Sequence, residues 1–311
     1  MTNALTSDSK LQGHFGSLEA KVQPLIIGAM RIVVGLLWLS NLEWKRPGNF
    51  GQQKGNGLFK YVDSAIKHPV FPPYSWFLEH VVVKQFSLFG WITLLTEATI
   101  AALLLTGYFT RIASLVGAAL SVSIAMSVLT YTKAYEWPWS YYLMFAIHLL
   151  LFATGAGHHL GVDGVRRQGA EAARRAQIVL GTVGAVVGVL GLIVARSNDF
   201  AGKQGSLLGW KFGELKALWF NPLSALLTIA LGVAIAAGGF LRQRPLALAG
   251  GIGFAVLAVL VAFLWRDGVS GWTGGFLGAT GGTMAFWGAL AIGTLAVLGV
   301  FGRARPSALK V

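Results

Sequence analysis

The chain has 311 residues; 55% are hydrophobic, 12% are charged, the net charge is +13, and there is no cysteine. A soluble domain carries about 25% charged residues, so this composition excludes disorder and points to a membrane protein. The lack of cysteine removes disulfides, thiolate nucleophiles, Cys-ligated iron–sulfur clusters and covalently attached c-type haem.

The excess of basic residues lies between hydrophobic stretches, which fits anionic lipid headgroups better than nucleic acid. Residues 1–23 are polar and lack a signal-peptide core, so they are read as a cytoplasmic N-terminal segment. Eight stretches have the length and apolarity of membrane-spanning helices, near 24–42, 84–107, 111–130, 138–155, 177–195, 222–240, 245–265 and 283–301. The fold class expected is therefore all-α, a polytopic membrane protein with eight transmembrane helices.

The first span, PLIIGAMRIVVGLLWLSNL, contains Arg31. An arginine inside a bilayer costs about 2.5–3.5 kcal/mol on insertion scales, so it is expected to face the bundle and have a partner. After this span comes an outer loop, 43–83, which starts EWKRPGNF and contains HPVFPPYSWFLEH. Its aromatics and its prolines 69, 72 and 73 indicate that it is folded, and long ordered loops are often functional. The second span carries Glu97 and ends in a tight turn at Gly107-Tyr108, followed by Arg111 and a serine-rich third span. Serines there suit close helix packing and interhelical hydrogen bonds. The turn TKAYEWPWS leads to a fourth span with His148, followed by the basic stretch HHLGVDGVRRQGAEAARRA.

Counted from the inner ends of their spans, Arg31 and His148 lie about 10 Å deep and Glu97 about 15 Å. The three are expected to meet at one level, with Arg31 pairing Glu97. Read structurally, such a pair clasps the bundle. Read functionally, it is an anion or quinone-headgroup site in which Glu97 or His148 carries protons.

The last four spans read as a degenerate copy of the first four. Gly28-Ala-Met-Arg31-Ile-Val-Val-Gly35 aligns with Gly181-Thr-Val-Gly184-Ala-Val-Val-Gly188, and Leu94-Leu-Thr96-Glu97-Ala98 with Leu226-Leu-Thr228-Ile229-Ala230. Arg31, Glu97 and His148 meet Gly184, Ile229 and Gly293, so the copy has no charge at these positions. The expected organisation is a working unit over 24–176, a repeat over 177–301 and a cytoplasmic tail over 302–311. An even number of spans gives both halves one orientation.

The clusters Arg166-Arg167, Arg174-Arg175, Arg242/Arg244 and Arg303/Arg305 flank span ends, and the positive-inside rule puts them and both termini in the cytoplasm. All eleven tryptophans then fall toward the outer side (38, 44, 76, 91, 137, 139, 210, 219, 265, 272, 287). An interfacial aromatic belt normally occupies both faces. A one-sided set suggests a cap over a site or a face that docks a second protein subunit.

Residues 24–163 resemble the DoxX/DoxD family of four-helix membrane proteins, which includes the small subunit of thiosulfate:quinone oxidoreductase. The resemblance rests on Arg31-x-x-x-Gly35, Glu43-Trp44-Lys45, Glu97, the run Leu103-Leu-Leu-Thr-Gly107-Tyr-Phe-Thr110-Arg111-Ile-Ala113, and Gly155-Ala-Gly157 with Asp163-Gly164. Ala156 departs from a common Gly-Pro-Gly in that place. What the resemblance implies is an integral membrane subunit of a quinone-linked oxidoreductase, passing electrons from a small sulfur anion or a partner protein to membrane quinone. The alternatives are a non-catalytic anchor for a redox partner and a lipid or small-molecule transporter. The residues expected to do the chemistry are Arg31, Glu97 and His148. Those expected to bind are Trp38, Lys45, Arg46, His80, Tyr108 and Arg111. No metal or flavin motif is visible, and no histidine spacing matches the common helical metal pair. The expected setting is the cell membrane, in contact with lipid and a second subunit, with homo-oligomerisation open.

Overall fold

The computed structural model describes residues 2–129, 139–201, 206–208, 218–265 and 275–302. Trp137, Trp210, Trp272, most of the turn after the third expected span and nearly all of the C-terminal tail lie outside these residues. The chain is built on helices: α1 (Thr2–Ser40), α2 (Gly57–Lys67), α3 (Pro72–Phe77), α4 (Phe86–Thr106), α5 (Thr110–Val128), α6 (Trp139–Thr154), α7 (Val162–Gln168), α8 (Ala170–Ala195), α9 (Pro222–Phe240), α10 (Arg244–Leu264) and α11 (Gly281–Val297). Two short strands, β1 (Ser206–Leu208) and β2 (Leu218–Phe220), pair antiparallel between α8 and α9, with Ser206 opposite Phe220.

This is an all-α polytopic membrane protein. Six helical stretches are long and apolar enough to cross a bilayer: Ala20–Ser40, Pro72–Thr106, Thr110–Val128, Ala170–Ala195, Pro222–Phe240 and Arg244–Leu264. The apolar helices α6 and α11 are shorter, at 16 and 17 residues. The outward faces are apolar too. Leu88 and Leu95 of α4, and Val179, Val186, Leu190 and Ile193 of α8, are 47–60% exposed, as expected of helices that are hydrophobic all round and face lipid.

The helices run beyond two of the expected spans. The polar N-terminal stretch is helical from Thr2 and continuous with the first span through Pro24. The outer loop is helical from Pro72 onward. Proline suits the first turn of a helix because its missing N–H would be unpaired there anyway. The helix then runs through a π-helical turn, Leu78–Val82, into α4. The same prolines, read from the sequence, had indicated a stiff loop.

The helix neighbours recur in order. α1 packs on α4, α4 on α5, α5 on α6, and α6 touches α1; likewise α8 packs on α9, α9 on α10, α10 on α11, and α11 reaches α8. α8 and α9 approach closely because Gly181 and Gly232 face each other's backbones: a Cβ on Gly181 would lie 2.5 Å from the Gly232 carbonyl oxygen. Small residues of this kind drive helix association in lipid. α11 also lies along α4, so the last helix joins the later helices to the first ones. The position aligned with Arg31, Gly184, sits against the side chains of Leu290 and Phe254.

Candidate functional site

Arg31 and Glu97 are both fully buried, but they are not each other's partners. The Arg31 guanidinium reaches the C-terminal end of α4. Its Nη1 donates to the carbonyl of Leu104 and, at 3.1 Å, to that of Leu105; its Nη2 donates to the carbonyl of Leu160 at 2.9 Å. The last four carbonyls of a helix have no intrahelical partner, and a cation there also suits the helix dipole. Arg31 therefore closes α4 and ties it to the segment after α6. Gly107, just past α4, has φ +68, and a Cβ there would come within 2.7 Å of Arg31 Nη1. Glycine is required at that turn by conformation and by space. From α7, Asp163 accepts from the backbone N–H groups of Phe109 and Thr110 at 3.2 and 3.3 Å. The residues that carry the family resemblance at this end thus form a clasp.

Glu97 is paired with Lys45 instead. Lys45 Nζ lies 2.7 Å from Glu97 Oε2, and both side chains are 2% exposed. The chain turns back over residues 41–44 after α1 and points Lys45 into the bundle. The ammonium also donates to the Asn41 carbonyl at 2.9 Å and lies 4.0 Å from the centre of the Trp44 ring. Asn41 Nδ2 is 3.4 Å from the same Glu97 oxygen. Burial lowers the Lys45 amine below its ordinary range, and Glu97 opposes that shift. An ammonium has three hydrogens; with two committed, one remains to donate.

The pair borders a cavity of about 1790 Å³ between α1, α2, α4, α5 and α6. Its wall includes the cations Lys45, Arg46, Lys54 and Lys60, with Glu97 as the carboxylate among the lining residues described. Apolar lining comes from Leu37, Phe89, Ile92, Leu120, Ile124 and Met144. A hydroxyl cluster stands on another wall: the Tyr74 hydroxyl is 2.9 Å from Ser123 Oγ and 3.1 Å from Ser127 Oγ. Trp38 lines the cavity and donates its indole N–H to His148 Nε2 at 2.8 Å. Because indole nitrogen only donates, Nε2 is the unprotonated nitrogen and Nδ1 carries the hydrogen. That ring is seated against Gly117, where a Cβ would lie 2.3 Å from it.

The structure therefore divides the nine expected site residues. Trp38, Lys45, Arg46 and Glu97 line the cavity, with His148 behind Trp38. Arg31, Tyr108 and Arg111 belong to the opposite end of α4. Tyr108 is buried and packs on Phe109 and Phe301. His80 is exposed, stacked on Trp76, with Nδ1 3.0 Å from the Trp76 carbonyl. Sequence reasoning missed Asn41, Tyr74 and Glu43. Glu43 is 8% exposed and accepts from Thr280 Oγ1 and, at 3.2 Å, from Gly282 N, at the start of α11. Its signal was present in the Glu43-Trp44-Lys45 run, but all three were assigned to the membrane surface. No group of three or more metal-ligating side chains converges among the described residues.

These features define a class: a polytopic helical membrane protein with an ion pair buried beside a large, cation-rimmed cavity. A comparison with protein families matches residues 25–193 to the family described as TQO small subunit DoxD. That is more than half of the chain, and the protein belongs to the DoxD family. The match runs beyond the 24–163 of the motif resemblance, into α8. A search of curated proteins and one of solved structures returned no match.

Proposed function

We propose that this protein is the membrane subunit of a quinone-linked oxidoreductase of the thiosulfate:quinone type, and that the Lys45–Glu97 cavity is where its substrates meet. The observation that carries the reading is the buried ion pair on the wall of a cavity lined by further cations. The family description, which names a subunit of such an enzyme, supports it. The residues fit both ligand chemistries. A sulfur dianion needs positive charge, available from Lys45, Arg46, Lys54 and Lys60. A quinone needs an apolar slot with hydrogen-bond donors aimed at its oxygens, and ligand pockets are commonly of this kind. The uncommitted Lys45 hydrogen is such a donor.

A quinone, when bound, supplies the acceptor for two electrons and two protons. The chain's own residues handle charge and protons. Lys45, its charge already made costly by burial, gives up a proton more readily than an exposed lysine. Glu97 holds the amine in place and keeps the pair neutral until then. Asn41 and Trp44 fix the direction of Lys45. Trp38 fixes the tautomer of His148, so that His148 accepts a proton only after the indole N–H releases Nε2. Arg31 positions α4 from its far end. The two-repeat architecture with eight spans belongs to the same proposal, supported by the recurring order of helix neighbours; so does the orientation with both termini inside.

The test is thiosulfate-dependent quinone reduction in membranes or in the purified native complex. Lys45→Gln and Glu97→Gln are expected to lose activity by about a hundredfold or more, in line with loss of a positioned proton-transfer group. Wild-type rates in both variants would remove the cavity from the mechanism.

One observation favours a second reading, an anchor for a redox partner: Phe71, Trp76, Phe77 and Trp139 are 45–64% exposed. In that case a partner subunit co-purifies and its activity is unchanged in the Lys45 and Glu97 variants.

A further inference from the structure

At the far end of α4 from the Lys45–Glu97 pair, the α4–α5 turn meets the chain leaving α6. A second pocket of about 280 Å³ opens there, with Arg111, Arg166 and Arg167 on its border against one carboxylate, Asp163. That carboxylate accepts from the backbone N–H groups of Phe109 and Thr110. Arg166 is partly committed as well: it lies 5.2 Å from the centre of the Tyr108 ring and donates to the Gly302 carbonyl. Arg111 and Arg167 are in no ion pair among the described residues.

Thr110 supplies an independent sign that something belongs in this pocket. It is 1% exposed, it borders the pocket, and its hydroxyl oxygen has no hydrogen-bond partner. A buried hydroxyl without a partner is costly and calls for an explanation. Only glycine fits beside it at 157, where a Cβ would lie 2.4 Å from Thr110 Oγ1 and 2.5 Å from Asp163 Oδ2. Burial and the charges of Arg167 and Arg111 push the His158 imidazole below its ordinary value, against the pull of Asp163. Three arginines stand on the border of the pocket against one carboxylate.

We propose that this pocket binds a phosphate group, with Arg111 and Arg167 as its cationic donors and the Thr110 hydroxyl as a third. Guanidinium presents paired N–H groups in a plane that matches phosphate oxygens. Two further pocket residues, Phe109 and Ile112, are 50% and 59% exposed and apolar. They lie between or at the ends of two apolar spans, Pro72–Thr106 and Thr110–Val128, so the expected carrier of the phosphate is an anionic phospholipid headgroup. A basic pocket between membrane helices is a recognised form for such a site.

The test uses the full chain in nanodiscs of phosphatidylcholine doped with phosphatidylglycerol, with retained lipid counted by native mass spectrometry. The wild type is expected to retain phosphatidylglycerol preferentially. Arg111→Gln with Arg167→Gln is expected to reduce that retention about tenfold or more. Arg175→Gln, an exposed cation on α8 outside the pocket, leaves it unchanged. Thr110→Val, nearly isosteric, is the check if the double variant does not fold; it too is expected to weaken retention. Inorganic phosphate is titrated calorimetrically onto the detergent-purified protein in a second arm. Binding there that is lost in the double variant, without preference for phosphatidylglycerol, assigns the phosphate to a soluble carrier. Equal effects of the double variant and Arg175→Gln, or full retention in Thr110→Val, would overturn the site. So would the absence of both lipid preference and phosphate binding.

Discussion

Lys45 stands five residues past the end of α1, yet it is more deeply buried than most residues within the spans. Breaking a buried ion pair strands a charge at about 3–5 kcal/mol. Lys45→Met and Glu97→Gln should each destabilise the protein on that scale, measured by unfolding in detergent. The double variant should recover part of the loss, with a coupling of about 1–3 kcal/mol. Arg31→Gln combined with Glu97→Gln should give additive losses, because Arg31 binds carbonyls seven and eight residues along α4 from Glu97. Coupling between those two would contradict the geometry described. The sequence made both charges legible as buried and in need of partners, but it paired them wrongly. Depth counted along the helix axis ignores the reach of the side chain. A guanidinium extends about a turn of helix from its own Cα and goes to unpaired carbonyls. Lys45 was counted as an outer-loop cation because its position depends on a chain reversal at 41–44 that carries no glycine or proline signature.

The elements were more legible than the contacts. α9 spans 222–240 as its apolar run predicts, and α10 differs from its expected bounds by a single residue at each end. The Pro72 start was missed because proline signals a loop as readily as a helix's first turn. Two predictions belong at this scale. Gly117→Ala on α5 should push the His148 ring off Trp38, seen as a change in tryptophan emission and a fall in quinone reduction; unchanged emission would mean that the ring is free to move. The second concerns the Glu43 contact with the start of α11. Burial raises the Glu43 carboxyl to about 8, against the hydrogen bonds from Thr280 and Gly282. The folded protein therefore prefers Glu43 protonated. Its contribution is fully present below the unfolded value near 4.5 and is lost as pH rises toward 8. Thermal stability should fall over that window with a limiting slope of about 1.4 kcal/mol per pH unit. Glu43→Gln should flatten the profile; an identical slope in that variant would place the titration elsewhere.

At the scale of the molecule, the hydrophobic spacing indicated a helical membrane protein and, through internal similarity, a later repeat that lacks the charges aligned with Arg31 and Glu97. The contact of α11 with α4 was not legible, because apolar helix faces look alike in sequence whichever neighbour they meet. Since the chain has no cysteine, its orientation can be read by single introduced thiols. Cysteine at Arg175 should be shielded from an impermeant maleimide in intact cells, and cysteine at Gln53 should react. The reverse pattern would invert the topology.

Glu43 and Lys45 are two residues apart on one short turn, one gripping the start of the last helix and the other holding the ion pair. The start of α11 is thus linked to the Lys45 amine through a single turn of chain. A partner or ligand that touches only α11 would be expected to reach the ion pair through that turn without contacting it.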